Sequence, residues 1–227
     1  MLSEAELRAW ADDEFVVGHI LSNYITEYTH LEECLAIGSL AQDELAHARA
    51  FYEYAGLRER ALDRYIFLRA PDAFTVTPLA TYQPDNFAEL VVKQYLYEIL
   101  DRLRLDAAQR QADEALQTLL TTMQSEERMH YDHWNHWVHV LADSPARSRL
   151  ESALEKVGAY CGLSGRSSAA WDASWRRRAE SELLATDLHL GLGRPDTGAM
   201  AAWQEPLAAL IGRMQSIFRE RPEVILG

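Results

Sequence analysis

Glu44-Leu45-Ala46-His47 and Glu127-Arg128-Met129-His130 are two copies of one pattern, Glu-x-x-His, each inside a stretch with helical periodicity. On a helix, residues three apart share a face, so each copy presents a carboxylate and an imidazole side by side. One copy alone is common, and a buried Glu–His pair often serves only as a structural hydrogen bond. Two copies on buried stripes are what a di-metal site in a helix bundle needs, once each of two further helices adds an acid.

Working outward from these motifs, apolar residues recur at helical spacing and Gly and Pro are scarce before residue 143. The pattern predicts four main helices, at about 4–28, 31–55, 84–108 and 110–142. Ser3 ahead of Glu4 and Glu6 suits an N-cap, and Gly56 suits a C-cap. Pro71, Pro78 and Pro84 punctuate a long crossover, with extended character expected around Tyr65-Ile66-Phe67-Leu68. Beyond Ser144 the spacing predicts shorter helices over 145–162, 171–190 and 201–218. A polar loop at Leu163–Ala170 and a turn at Gly191–Gly198 separate them. The expected fold class is all-α: a four-helix bundle over residues 1–142 with a C-terminal helical extension, residues 143–227, packing on it.

Register then selects the candidate ligands. Leu7, Trp10, Glu14, Val17, Leu21 and Tyr24 form one stripe; Ile37, Leu40, Glu44, His47, Phe51 and Tyr54 form a second. Phe87, Val91, Gln94, Glu98 and Leu105 form a third, and Leu116 through Leu141 carries a fourth past Glu127, His130, Trp134 and Trp137. Each stripe contains an acid. The candidate site, catalytic and metal-ligating, is Glu14, Glu44, His47, Glu98, Glu127 and His130. Asp101 rivals Glu98, and Glu27, Glu32 and Glu33 lie near enough to compete with Glu14.

The same register argument sorts the other groups. His136 and His139 drift off the metal face at about 100° per residue, leaving His133 as a neighbour of it. Tyr24, Tyr95, Tyr97 and Tyr131 suit packing or a redox role. Arg176-Arg177-Arg178 suits a solvated face, a subunit contact or a phosphate, and Gln42-Asp43 is placed to steady a ligand histidine.

Composition bounds the function. The formal charge of −13 disfavours nucleic acid and anionic membrane surfaces as partners. No apolar run approaches the roughly 20 residues of a membrane span. The start, MLSEAELRAW, lacks a basic n-region and an apolar core, so a cytoplasmic location is expected. Cys34 and Cys161 form no CxxC pair. A donor set of carboxylate and imidazole suits two iron ions, with manganese the alternative.

Asp43-Glu44-Leu45-Ala46-His47, Glu126-Glu127-Arg128-Met129-His130 and the segment from Asn86 through Gln94-Tyr95-Leu96-Tyr97-Glu98 resemble the phenylacetic-acid-catabolism family of the ferritin-like di-iron superfamily. The likeness covers roughly residues 10–142. It implies a ferritin-like bundle and a non-haem di-iron oxygenase, a monooxygenase or epoxidase. Such an enzyme activates O2 for insertion into an organic substrate, aromatic acyl-CoA among the candidates. It also implies an external reductase and a homodimer or hetero-oligomer. Length and third helix resemble that family's structural subunit, whereas six ligand-competent positions resemble its catalytic one. Two alternatives stay open: a ferroxidase or iron-handling protein, and a non-catalytic partner subunit.

Overall fold

In a computed structural model, residues 2–27, 30–162, 169–191, 204–221 and 223 are described. They form nine α-helices, two short 3₁₀ turns and no strand, the all-α, ferritin-like architecture expected. The described residues of Leu2–Val76 and Ala201–Gly227 make one compact unit, and those of Thr77–Met200 a second.

The first unit is built on α1 (Glu4–Ser22) and α2 (Leu31–Tyr54). Ser3 caps α1 in a complete capping box with Glu6. Asn23 takes the C-cap, so α1 stops before the expected residue 28, and Tyr28 lies outside the described residues. The pair is antiparallel: Trp10 stacks on Phe51 at 4.4 Å, whereas Gly18, further along α1, meets Ala41 and Leu45, earlier in α2. The end of α2 is closed by Gly56 at φ 87°. The Leu57 and Gly56 amides return to the carbonyls of Tyr52 and Glu53, the paired bonds of a Schellman motif.

Tyr65–Phe67, expected to be extended, instead ends a short helix, α3 (Glu59–Phe67). Its buried Leu62 and Ile66 are four apart, one stripe on an otherwise polar segment. A 3₁₀ turn at Pro71–Ala73 follows. Asp12, buried in α1, ties this connection down: Arg69 approaches it at 2.6 Å, Tyr52 donates at 2.5 Å and the Thr75 amide at 2.7 Å. The last helix (Gln204–Glu220, numbered α9) completes the unit. Its buried Gln215 donates to the carbonyls of Ile66 and Arg69 at 2.9 and 2.8 Å, and Phe218 stacks on Phe67. Residues 201–203 of the expected helix lie outside the described residues.

The second unit opens with a single helical turn, α4 (Pro78–Thr81), and is built on α5 (Phe87–Gln109) and α6 (Glu114–Ala142). Asn86 and Asp113 cap them, each accepting from a backbone amide three residues on. These caps move both starts a few residues later than the periodicity suggests. The pair is antiparallel, with Phe87 against Trp137, Tyr95 against Tyr131 and Gln109 bonded to Thr121. α7 (Arg147–Gly158) and α8 (Ala169–Leu183), the latter followed by a 3₁₀ turn at Leu184–Thr186, cover α5. The Trp175 indole donates to the Leu96 carbonyl at 2.9 Å. So covered, α5 is buried continuously from Ala88 to Asp101. Residues 163–168 of the expected polar loop and 192–198 of the expected turn lie outside the described residues.

Candidate metal centre

In the first unit, Glu14 of α1 and Glu44 and His47 of α2 come together. One ligand atom from each lies within 4.8 Å of the others, and all three side chains are buried. Two local features produce this. Asp12, Asp13 and Glu14 are consecutive buried acids, which is possible only because α1 is enclosed on every side. Residues two apart point about 160° from one another, so Asp12 turns to Arg69 and to Tyr52 near the end of α2, while Glu14 turns to Glu44 and His47. The second feature is Gly18, one turn beyond Glu14. A Cβ there would sit 2.9 Å from Leu45 Cγ, 3.0 Å from the Ala41 carbonyl and 3.1 Å from Glu44 Cβ. The missing side chain lets α1 lie close enough for Glu14 to meet the Glu-x-x-His of α2.

In the second unit, Glu98 of α5 and Glu127 and His130 of α6 form the matching triad, again with one ligand atom each within 4.8 Å and all three at most 1% exposed. His130 Nδ1 is 3.7 Å from Glu127 Oε2, the side-by-side placement that three-residue spacing dictates. Asp101 is buried on the same helix but lies against Arg104 at 3.3 Å, so Glu98 rather than Asp101 joins this triad. Glu27 and Glu32 are exposed, and Glu33, buried in the first turn of α2, belongs to neither triad.

Both triads combine hard carboxylate oxygen with borderline imidazole nitrogen in a buried setting, the donor chemistry of iron or manganese. Burial favours such a fit: gathering carboxylates in a low-dielectric interior is costly, and a cation among them offsets that cost.

The remaining candidates fall into place around them. His133 is half-buried, edge-on to Trp134 at 4.7 Å; His136 and His139 are exposed on α6. Gln42 faces solvent and Asp43 is half-buried. Tyr95 and Tyr131 stack with centroids 5.7 Å apart, and Tyr131 donates to Glu182 at 2.6 Å. Burial, with Glu182 adding to it, pushes the Tyr131 phenol up to about 12. The three arginines are engaged within the chain: Arg176 with Glu180 and the carbonyls of Cys161 and Gly191, Arg177 with Ser174, Arg178 with Glu182.

Two buried polar groups near the second triad carried weaker sequence signals. Gln94 belongs to the α5 stripe and Trp134 to that of α6, where spacing alone marks each only as part of the register. Both are fully buried, and neither the Gln94 carboxamide nor the Trp134 indole nitrogen has a hydrogen-bond partner among the described residues. Leaving such a group unsatisfied costs roughly 1–3 kcal/mol.

The family model described as phenylacetic acid catabolic protein matches residues 5–186 of the chain. No curated protein matches it.

Proposed function

This chain belongs to the phenylacetic acid catabolic protein family, phenylacetyl-CoA epoxidase subunits of the ferritin-like di-iron superfamily, and from that premise we propose that it is a non-haem di-iron oxygenase. In this reading the six residues hold two metal ions, one triad from each unit contributing three of them. Glu14, Glu44 and His47 supply one side; Glu98, Glu127 and His130 supply the other. The observation that carries the reading is the repeat itself: two acids and an imidazole, buried and gathered within 4.8 Å, built independently in each unit.

Charge bookkeeping supports it. Four buried glutamates carry four negative charges and two divalent cations carry four positive ones. Two such cations balance the four carboxylates and offset the cost of burying them together.

When bound, the metal pair supplies O2 activation and two-electron redox capacity. The residues of the chain have the complementary tasks. His47 and His130 each fix one metal position through a neutral imidazole nitrogen. The glutamates tolerate changes of charge and of bridging mode because a carboxylate binds through one oxygen or two. The enclosure of α1 and α5 keeps bulk water from the ligands. Electrons come from an external reductase, since the sequence carries no flavin, nicotinamide or iron–sulfur motif. The substrate is an organic molecule, with an aromatic acyl-CoA the class that family membership favours.

The deciding experiment is metal content after anaerobic Fe(II) loading of wild type and of the Glu44→Ala/Glu127→Ala double variant. About two irons per chain in wild type and none in the variant is the expected result. A wild-type chain that retains no stoichiometric metal would sink the oxygenase reading and leave a helical partner subunit.

A further inference from the structure

Gln94 precedes Glu98 by one helical turn in α5, and Trp134 follows His130 by one turn in α6, each on the stripe of its triad. Because the helices are antiparallel, these two steps run in the same direction along the pair. Gln94 adjoins Tyr95, at the level of the Tyr95–Tyr131 stack, and Trp134 lies about a turn beyond Tyr131. On this side of the triad three hydrogen-bonding groups, the two ends of the Gln94 carboxamide and the Trp134 indole N–H, are buried with no partner among the described residues. The next turn in the same direction offers the buried aliphatic side chains of Leu90, Val91 and Val138. Trp175 shows the ordinary arrangement in the same unit: equally buried, its indole donates to the Leu96 carbonyl.

We propose that Gln94 and Trp134 hold the carbonyl oxygen of a neutral organic ligand beside Glu98, Glu127 and His130. The carboxamide nitrogen and the indole nitrogen both donate to that oxygen. Neutrality follows from the two groups themselves, since a carboxamide and an indole N–H offer hydrogen bonds but no charge to balance a buried anion. The inference deepens the oxygenase reading, naming the residues that orient its substrate, and rests on that reading for what lies beside the ligand.

The test is a titration followed at the indole N–H resonances of ¹⁵N-labelled full-length protein. The chain has six tryptophans, and Trp134→Phe identifies the peak concerned. Phenylacetamide is the probe, with ethylbenzene as the oxygen-free control and phenylacetate as the anionic one. A saturable shift of the Trp134 peak with the amide alone is expected, and Gln94→Met should raise the Kd about tenfold or more. No shift, an equal shift with ethylbenzene or phenylacetate, or an unchanged Kd in Gln94→Met would overturn the proposal. If Gln94→Met does not fold, the three-probe titration of wild type decides alone. Metal content on the same samples separates the two readings. Bound metal with a silent Trp134 overturns this inference only, and a responsive Trp134 without metal overturns only the di-iron reading.

Discussion

His19, one turn short of the end of α1, shows how far a single site departs from solution behaviour. It lies along a cavity of about 410 Å³ with Phe15, Leu45 and Leu62, and burial pulls its imidazole down to about 4. The unfolded chain therefore binds a proton here below about 6.5 while the folded chain does not, so stability falls as the pH drops from about 6.5 towards 4. In metal-free protein, His19→Gln should lose that part of the acid sensitivity. The gap between variant and wild type should shift by on the order of 2–3 kcal/mol across this window. Urea midpoints measured from pH 7 to pH 4.5 check it, and a pH-independent gap would contradict the assignment.

Helices α1 and α2 act as one element, and Gly18 sets their separation. In an isolated helix, replacing Gly by Ala gains about 1 kcal/mol. Here the added Cβ meets the Ala41 carbonyl at 3.0 Å, and backbone yields less than a side-chain tip. Gly18→Ala should therefore reverse the usual sign and destabilise by about 1–3 kcal/mol, moving Glu14 away from Glu44 and His47. Denaturant unfolding reads the first effect and metal content the second.

The two helix pairs and the six triad positions were legible in the sequence because a buried stripe repeats every three to four residues over twenty or more positions. Short or non-local features were not. The nine residues of α3 hold too few turns for their stripe to stand out from an extended reading. The ion pair of Asp12 with Arg69 joins residues 57 apart, so no spacing rule announces it. The α1 stripe continues in the sequence to Tyr24, but the helix stops at Ser22, where the chain turns towards α2. Gly18 reads from sequence as an ordinary helix-interior glycine, and only the partner helix reveals its function.

At the scale of the whole molecule, the unit carrying Glu14, Glu44 and His47 is closed by α9, whose Leu207, Leu210, Ile211 and Gln215 are buried. Truncation before Gln204 should therefore weaken the start of the chain rather than its end. It exposes apolar surface worth about 1.5–3 kcal/mol per large aliphatic side chain and removes the Gln215 bonds to the carbonyls of Ile66 and Arg69. Hydrogen exchange should show faster amide exchange in α3, with α5 and α6 still protected. Uniform loss of protection would mean that the chain unfolds as a single cooperative body.

This closure also orders events in time. A chain is made in sequence order, and α9, which closes the unit of the first triad, emerges after α1 to α8. Until α9 leaves the ribosome, two acids and a histidine wait on an unfinished scaffold. Whatever the first triad holds is therefore secured only once α9 has emerged to fasten α3 and the turn after it.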